Sequence, residues 1–233
     1  MKYFQAFLEL LFPTPRICPF CHTKQEELQV CFHCLEELKK IKEERGQCAR
    51  CGTLGVRGEE CGNCFYWPQY FLRNYAAIPY EGKWRQTIHQ LKFKNQGWLA
   101  TPLAEIMIAT LKNKEVDLVL PVPLHKDRLR TRGFNQASLL GQEVARITGL
   151  PFNDQLLERV IATSHQSGLS QRRRASNVRN AFQVNNSDII AGKRILLVDD
   201  LMTSGATLLE CSKVLYGKGA KTVTGVTLGV GVK

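Results

Sequence analysis

The sequence lacks any apolar run that approaches the ~20 residues a membrane-spanning helix needs. Residues 1–13 are largely apolar, but Gln5 and Glu9 interrupt them, and no small-residue cleavage site follows. We therefore favour an amphipathic N-terminal helix packed on the protein body over a signal peptide or a membrane anchor. The sequence predicts no membrane span and a cytoplasmic location.

Negative charge is scarce as well. The 233 residues include 21 Asp and Glu against 32 Lys and Arg, which gives a formal net charge of +11. Residues 1–70 contain equal numbers of acidic and basic side chains, so the whole excess lies in residues 71–233. A basic domain of this kind can bind a polyphosphate, a nucleic acid or both. A hydrophobic fraction of 44% excludes wholesale disorder.

Cysteine, in contrast, is abundant and regularly placed. Eight of the nine cysteines form Cys-x-x-Cys pairs, and the same nine-residue gap separates the first two pairs and the last two. Two such pairs complete a structural Cys₄ zinc site. Four pairs argue against a redox motif, and disulfides would need an oxidising compartment that no signal peptide indicates. The predicted Zn²⁺ ligands are Cys18, Cys21, Cys31, Cys34, Cys48, Cys51, Cys61 and Cys64.

The repeated spacing favours two zinc sites formed by consecutive pairs, although interleaved pairing stays open. Neither site has a sizeable core of its own, so we expect metal binding to supply much of the folding free energy of this module. The composition changes near residue 70, which predicts a zinc module over residues 1–70 and a second domain over 71–233. The ninth cysteine, Cys211, is predicted to be a small buried hydrophobic residue.

The most informative segment is residues 195–208. An aliphatic run ends in Asp199 and Asp200, and a small-residue loop over residues 203–207 then opens onto an apolar-periodic helix. This pattern is typical of a buried parallel strand that leads into its crossover helix. Unpaired N–H groups at a helix N-terminus favour a phosphate, and Gly205 lets the backbone approach it closely. Two acids beside this loop suit the hydroxyls, or the metal, of a phosphorylated sugar.

Strand and helix patterns alternate through residues 71–233. We predict strands over 74–79, 117–122, 193–199 and 222–229, and helices over 83–93, 98–111, 136–148 and 207–216. Repeated strand–helix units favour an α/β fold with a mostly parallel sheet and helices on both faces.

Residues 195–208 resemble the phosphoribosyl pyrophosphate (PRPP) signature of type I phosphoribosyltransferases. The resemblance implies that Asp199 and Asp200 hold the ribose hydroxyls and that the loop binds the 5′-phosphate. The implied loop residues are Thr203, Ser204, Gly205, Ala206 and Thr207.

Further motifs narrow the resemblance. Residues 121–124, 132–136, 166–170, 177–179 and 181–182, together with Arg173, occur in the order found in the ComF family. The domain order, paired zinc knuckles ahead of a type I phosphoribosyltransferase domain, also resembles that of the ComF family. The resemblance therefore covers nearly the whole chain. It implies PRPP with Mg²⁺ as ligands and a role in handling incoming single-stranded DNA during natural transformation.

The same resemblance implies roles for two cationic segments. Lys126, Arg128, Arg130 and Arg132 come just after a predicted strand, where the family contacts pyrophosphate. Residues 163–180 match the mobile loop of such enzymes and contain Arg172, Arg173, Arg174 and Arg179. We predict pyrophosphate or nucleic-acid contact for both, while a solvated charged surface stays the alternative.

Three functions stay open at this point. The first is a competence protein that binds PRPP and handles single-stranded DNA, for which Phe65, Tyr66, Trp67, Trp84 and Phe93 are candidate stacking residues. The second is an active transferase on an unidentified nitrogenous acceptor. Asp199, Asp200, Arg130 and Arg132 would carry catalysis, and the zinc module would supply the lid, with residues 65–70 near the acceptor side. The third is a scaffold whose zinc module docks a DNA-translocating ATPase. Relatives are often dimers, but no sequence feature specifies one.

Overall fold

The computed structural model describes residues 15–58, 61–62, 64–111, 115–162 and 178–232. The predicted helix over residues 1–13 and the side chains of Arg172, Arg173 and Arg174 lie outside the described residues. Within these ranges, no helix is both long and apolar enough to cross a membrane.

The described elements follow one another as α1 (Phe32–Arg45), β1 (Phe71–Pro79), α2 (Gly82–Gln90), a 3₁₀ segment (Lys94–Leu99), α3 (Ala100–Thr110), β2 (Leu118–Pro121), α4 (Lys126–Arg132), α5 (Gln136–Thr148), β3 (Leu157–Arg159), β4 (Phe182–Val184), β5 (Arg194–Met202), α6 (Ala206–Gly217) and β6 (Thr222–Val230).

Four strands form a parallel sheet in the order β1-β6-β5-β2. Helices cover both faces, which confirms the predicted fold class. Strands β3 and β4 form a separate antiparallel pair that the sequence pattern did not predict. Each has only three residues, too few for a clear period-2 pattern.

The two faces of the sheet carry separate hydrophobic clusters. Along β5, Ile195 and Leu197 belong to the cluster under α6, while Leu196 and Val198 belong to the cluster under α3 and α5. The alternation follows from the pleat, which turns successive side chains to opposite faces. Both clusters are buried, so β5 and its neighbours are held rigidly beneath the edge where the strands end.

The zinc module straddles the edge strand β1. Its first cysteine cluster belongs to the α3–α5 face, where Phe20 packs on Trp84 with ring centroids 4.3 Å apart. Its second cluster belongs to the α6 face, where Trp67 packs on Phe71 at 5.0 Å. The module also pairs with the outer backbone of β1, since the Asn74 amide donates to the Arg50 carbonyl at 2.8 Å. An otherwise open sheet edge is thereby covered.

Candidate functional site

The eight paired cysteines lie in two compact clusters. Cys18, Cys21, Cys31 and Cys34 form one, and Cys48, Cys51, Cys61 and Cys64 form the other, with all Sγ atoms of a cluster within 4.8 Å of one another. The predicted consecutive pairing is therefore confirmed.

The sulfur spacing fits a tetrahedral metal. Sγ–Sγ distances are 3.5 Å for Cys21–Cys31, 3.6 Å for Cys48–Cys64 and 3.8 Å for Cys61–Cys64. A tetrahedron with Zn–S bonds of about 2.3 Å has edges of roughly 3.8 Å. Two Cys₄ sites of this geometry suit structural zinc, since each thiolate set is complete and no corner is left for a substrate.

Asp199 and Asp200 lie near the end of β5, at the carboxyl edge of the parallel sheet. The Asp200 amide donates to Asp199 Oδ1 at 2.9 Å. Burial raises the pKa of Asp199 well above its usual value, the charge of Asp200 raises it further, and Arg159 opposes the shift. The two acids thus form a coupled pair in which one carboxylate is costly to ionise without a ligand.

The loop after β5, residues 203–207, has a geometry that suits a phosphate, and we call it the phosphate loop. Gly205 adopts a left-handed conformation, with φ of 77°, directly before α6 begins at Ala206. The loop from residue 201 to residue 208, together with Asp199, surrounds a small hollow of about 30 Å³. The first residues of α6, Ala206 and Thr207, line this hollow, so the unpaired N–H groups at the helix N-terminus lie beside it. These groups and the helix dipole favour an anion there.

Trp67 of the zinc module fixes this loop from behind. A Cβ on Gly205 would lie 2.6 Å from Trp67 Cζ2, so only glycine fits between the ring and the loop. The Trp67 carbonyl accepts a hydrogen bond from Arg50 at 2.6 Å, and its amide donates to the Cys64 carbonyl at 3.0 Å. The second Cys₄ site is thereby connected to the phosphate loop through one side chain.

A larger cavity of about 430 Å³ adjoins the acids and the loop. Five cationic side chains line it, against the two carboxylates of Asp199 and Asp200. The cations are Arg85, Lys92, Arg128, Arg132 and Arg159. A cavity with this charge excess and a phosphate loop at its rim is suited to a polyanionic sugar phosphate.

Comparisons with known proteins agree with this geometry. The sequence model of the phosphoribosyl transferase domain matches residues 135–229, and that of the double zinc ribbon domain matches residues 7–65. Competence protein F of Haemophilus influenzae is 31% identical over 207 residues, which cover 83% of this chain and 87% of the relative. DNA utilization protein YhgH of Salmonella typhi is 32% identical over 193 residues, covering 79% and 84%.

The chain belongs to the ComF family. Among solved structures, the chain is similar to the adenine phosphoribosyltransferase of Thermoanaerobacter pseudethanolicus, with a TM-score of 0.39 and 13% identity over 62% of this chain and 85% of that one.

Within this ComF chain, α4 presents only part of the predicted cationic segment to the cavity. Arg128 and Arg132 line the cavity, whereas Arg130 is exposed and does not. Lys126 forms an ion pair with Glu158 at 2.8 Å, also outside the lining. The sequence pattern showed four cations in seven residues but not the helix that separates them onto different faces. Arg179 is exposed in a turn and does not line the cavity either.

The sequence pattern assigned no site role to five residues that line the cavity: Arg159, Gln136, Tyr80, Arg85 and Lys92. Arg159, on β3, lines the cavity although most of the residue is buried, and its Cζ lies 5.5 Å from the Phe182 ring centroid. Gln136 begins α5, where its Oε1 accepts from Arg132 at 2.5 Å and its buried Nε2 has no partner. An orphaned amide in the lining is a donor available to a ligand, which fits an anionic occupant.

The expected cover over the acceptor differs from the structure. Residues 65–70 do not line the cavity: Trp67 lies against the phosphate loop, and Tyr70 stacks on Tyr216 of α6 at 4.4 Å. The flank on that side is instead built by Tyr80, Arg85 and Lys92. The zinc module wraps around the β1 edge, so residues 65–70, which directly precede β1, pack on the α6 face of the sheet and not over the cavity.

The candidate stacking residues divide into buried and exposed ones. Trp67 and Trp84 are core residues, whereas Phe65, Tyr66 and Phe93 are exposed. Cys211 is buried, as predicted.

The site also fits Mg²⁺. Mg²⁺ prefers oxygen ligands and usually combines one or two carboxylates with substrate phosphates and water. Asp199 or Asp200 would supply the carboxylate here.

Proposed function

We propose that this ComF-family protein binds PRPP with Mg²⁺ at the carboxyl edge of its parallel sheet. The observation that supports this is that three groups line one cavity: the Asp199–Asp200 pair, Thr203 and Thr207 of the loop after β5, and Arg128 and Arg132 of α4. In this arrangement the loop holds the 5′-phosphate, the acids hold the ribose hydroxyls, and α4 contacts the pyrophosphate.

Calorimetric titration of the zinc-loaded protein with PRPP and Mg²⁺ tests this proposal. Asp199→Asn and Asp200→Asn should each lower the affinity at least about tenfold, since each removes a ribose or Mg²⁺ ligand. Asp188→Asn is the matched control, because Asp188 is an exposed acid outside the lining. Absence of binding to the wild-type protein would refute the proposal.

We further propose that PRPP binding serves the handling of single-stranded DNA in competence, within the cytoplasm. The basic excess of residues 71–233 and the exposed rings of Phe65, Tyr66 and Phe93 support this role. The affinity for an oligothymidylate should fall steeply with salt, with a slope of about −0.7 per phosphate contacted. An affinity that does not change with salt would contradict this role. The double variant Phe65→Ala/Tyr66→Ala should bind the oligothymidylate more weakly if these exposed rings stack on bases.

An active transferase is the second candidate, and the two-sided shape of the cavity favours it. Cations lie on the α4 side of the acids and again on the α2 side, which leaves room for a second ligand opposite the pyrophosphate. Pyrophosphate release during the same titration, dependent on an added nitrogenous acceptor, would identify the protein as a transferase. Binding without release would leave PRPP as a ligand only. Docking of a DNA-translocating ATPase and dimer formation stay predictions from the family resemblance.

A further inference from the structure

The cavity has a second flank that the PRPP assignment does not use. Tyr80 follows the end of β1, Arg85 lies on α2, and Lys92 lies in the turn after α2. All three line the cavity. Arg85, His89 and Lys92 are spaced by four and three residues, which places them on one side of α2 and the turn that continues it.

This flank presents a flat surface. The Arg85 guanidinium lies over the Tyr80 ring, with Cζ 5.4 Å from the centroid. The hydroxyl of Tyr80 is 2.7 Å from His89 Nε2, which fixes the orientation of the Tyr80 ring. A stacked aromatic ring and guanidinium plane suit a flat ligand, because an aromatic ligand can stack on either planar group.

The flank is also positively charged without compensation. Among the described residues, no acidic side chain forms an ion pair with Arg85 or Lys92. Asp200 acts on the flank through its charge: burial lowers the pKa of His89, Lys92 and Arg85 lower it further, and Asp200 opposes them. The flank therefore adjoins the proposed ribose site on one side and retains free positive charge on the other.

The position of the flank fits an attacking group. The sheet order β1-β6-β5-β2 puts Tyr80 and α4 on opposite sides of the acids at the end of β5. In a displacement at the ribose C1′ carbon, the entering group approaches from the side opposite the leaving pyrophosphate. With pyrophosphate on α4, the entering group lies on the Tyr80 flank.

We propose that Tyr80, Arg85 and Lys92 form a second-ligand subsite for a flat ring that carries a carboxylate. The proposal rests on the proposed PRPP site. The ring stacks on the Tyr80–Arg85 surface, and its carboxylate pairs with Arg85 or Lys92. When transfer occurs, the lone pair of a ring nitrogen forms the bond to C1′, and the C1′–oxygen bond breaks with its electron pair leaving on pyrophosphate. A pyridine-type nitrogen has no proton to lose in this step.

The test uses three probes with the full-length, zinc-loaded protein and saturating PRPP and Mg²⁺. Nicotinate has the ring and the charge, nicotinamide has the ring alone, and cyclohexanecarboxylate has the charge without the flat ring. Dissociation constants from ligand-observed NMR should be at least about fivefold lower for nicotinate than for either other probe.

Variants separate the contributions. Arg85→Met and Lys92→Met should each reduce the preference for nicotinate over nicotinamide, and Tyr80→Ala should weaken both aromatic probes. Lys221→Met, an exposed cation outside the cavity, should change nothing. Tyr80→Ala and Lys221→Met should keep the wild-type affinity for PRPP within about twofold, since neither removes a cation that lines the cavity. Arg85→Met and Lys92→Met each remove one cavity cation, so they should lower the PRPP affinity, but by less than Arg128→Met and Arg132→Met do.

The outcomes are distinguishable. Equal binding of the three probes with intact PRPP binding would overturn this inference alone. A loss of PRPP affinity in Arg85→Met or Lys92→Met as large as that in Arg128→Met or Arg132→Met would also overturn it, because the flank would then hold pyrophosphate. Failure of the wild-type protein to bind PRPP would refute the proposed function, and with it this subsite.

Discussion

Asp199 and Asp200 are neighbours on β5, so the pleat turns their side chains to opposite faces of the sheet edge. Asp199 faces Arg159 and Cys211 on the α6 side, as their mutual charge effects indicate, whereas Asp200 influences His89 on the α2 side. Both acids are half-buried: Asp199 lies on the side of the α6 cluster, and Asp200 lies toward the second flank of the cavity.

We expect Asp199→Asn to stabilise the protein at neutral pH. The raised pKa of Asp199 means that the folded protein holds this proton more tightly than the unfolded chain. Stability is then lost as pH rises from the ordinary aspartate pKa through the raised one. Thermal denaturation should show a higher Tm for Asp199→Asn at pH 7, by about 2–4 °C per kcal/mol regained, and no difference at acidic pH below the ordinary pKa.

Asp188→Asn should not change the Tm, because Asp188 is exposed. A lower Tm of Asp199→Asn at neutral pH would contradict the predicted penalty. The combination of a higher Tm with weaker PRPP binding would show that Asp199 is retained for ligand binding at a cost in stability.

Gly205→Ala should damage the phosphate loop in two ways. The left-handed φ of 77° strains any L residue, and the added methyl group would meet Trp67 Cζ2 at 2.6 Å. Left-handed strain costs about 1–2 kcal/mol and overpacking about 1–3 kcal/mol, so urea denaturation should show a loss of roughly 2–5 kcal/mol. The affinity for PRPP should fall as well.

Gly149→Ala is the matched control, since Gly149 has a φ of 71° and open space around its Cβ position. It should lose only the strain contribution. Trp67→Leu should relieve part of the clash, so the double variant Gly205→Ala/Trp67→Leu should be more stable than the sum of the single effects. Strict additivity would contradict the contact.

At the scale of single residues, the sequence predicted the acids and the loop because their spacing carries the chemistry. Arg159 could not be found in this way, because a lone arginine in a three-residue strand has no periodicity or motif around it. Arg85 and Lys92 did leave a signal, the basic spacing with His89 along α2, but only the fold shows that this side of the helix borders the cavity.

Among the elements, α4 decides which arginines serve the site. The helix is terminated by Gly133, with a φ of 83°, and its Arg128 and Arg132 are one turn apart on the cavity side. Arg130 lies between them and is therefore turned away. The order of these three arginines along the chain does not show which of them face the cavity, whereas their positions on the helix do.

We expect Arg132→Met and Arg128→Met each to weaken PRPP binding about tenfold to a hundredfold, since a charge-assisted hydrogen bond contributes about 1.5–3 kcal/mol. Arg130→Met should stay within about twofold of the wild-type affinity. Titration calorimetry with PRPP and Mg²⁺ measures all three. A large effect of Arg130→Met would show that Arg130 contacts the ligand, as the sequence analysis predicted.

The helices and strands were predictable where local signals and tertiary packing agree. The bounds of α5 match the prediction because both ends are fixed locally: Asn135 Oδ1 accepts from the Ala137 amide at 3.1 Å, and Gly149 ends the helix. The pair β3–β4 depends instead on residues more than twenty positions apart, so no local pattern reveals it.

In the whole molecule, the two zinc sites support different parts of the cavity. The first site reaches α2, where the Thr87 hydroxyl donates to the Pro19 carbonyl at 2.9 Å and Phe20 packs on Trp84. The second site reaches the phosphate loop through Trp67 and Gly205. Because the module lies across both faces of the β1 edge, its two Cys₄ sites support opposite sides of the cavity.

Zinc removal should therefore weaken PRPP binding although no zinc ligand lines the cavity. Stripping both metals with a chelator should lower the Tm and the PRPP affinity together, since the module folds around its metals. Re-addition of Zn²⁺ should restore both. Unchanged PRPP affinity in the metal-free protein would show that the phosphate loop holds its shape without Trp67.

The two sites can be separated with Cys18→Ser and Cys51→Ser, which each change one fully buried ligand. Cys51→Ser should lower the PRPP affinity about tenfold or more, because it loosens Trp67 beneath the loop, while Cys18→Ser should stay within about threefold. Conversely, Cys18→Ser should reduce binding of the nicotinate probe, since Pro19 and Phe20 hold α2 in place. Equal effects of the two variants on both ligands would mean that the module acts as one unit, through general stability rather than through separate contacts.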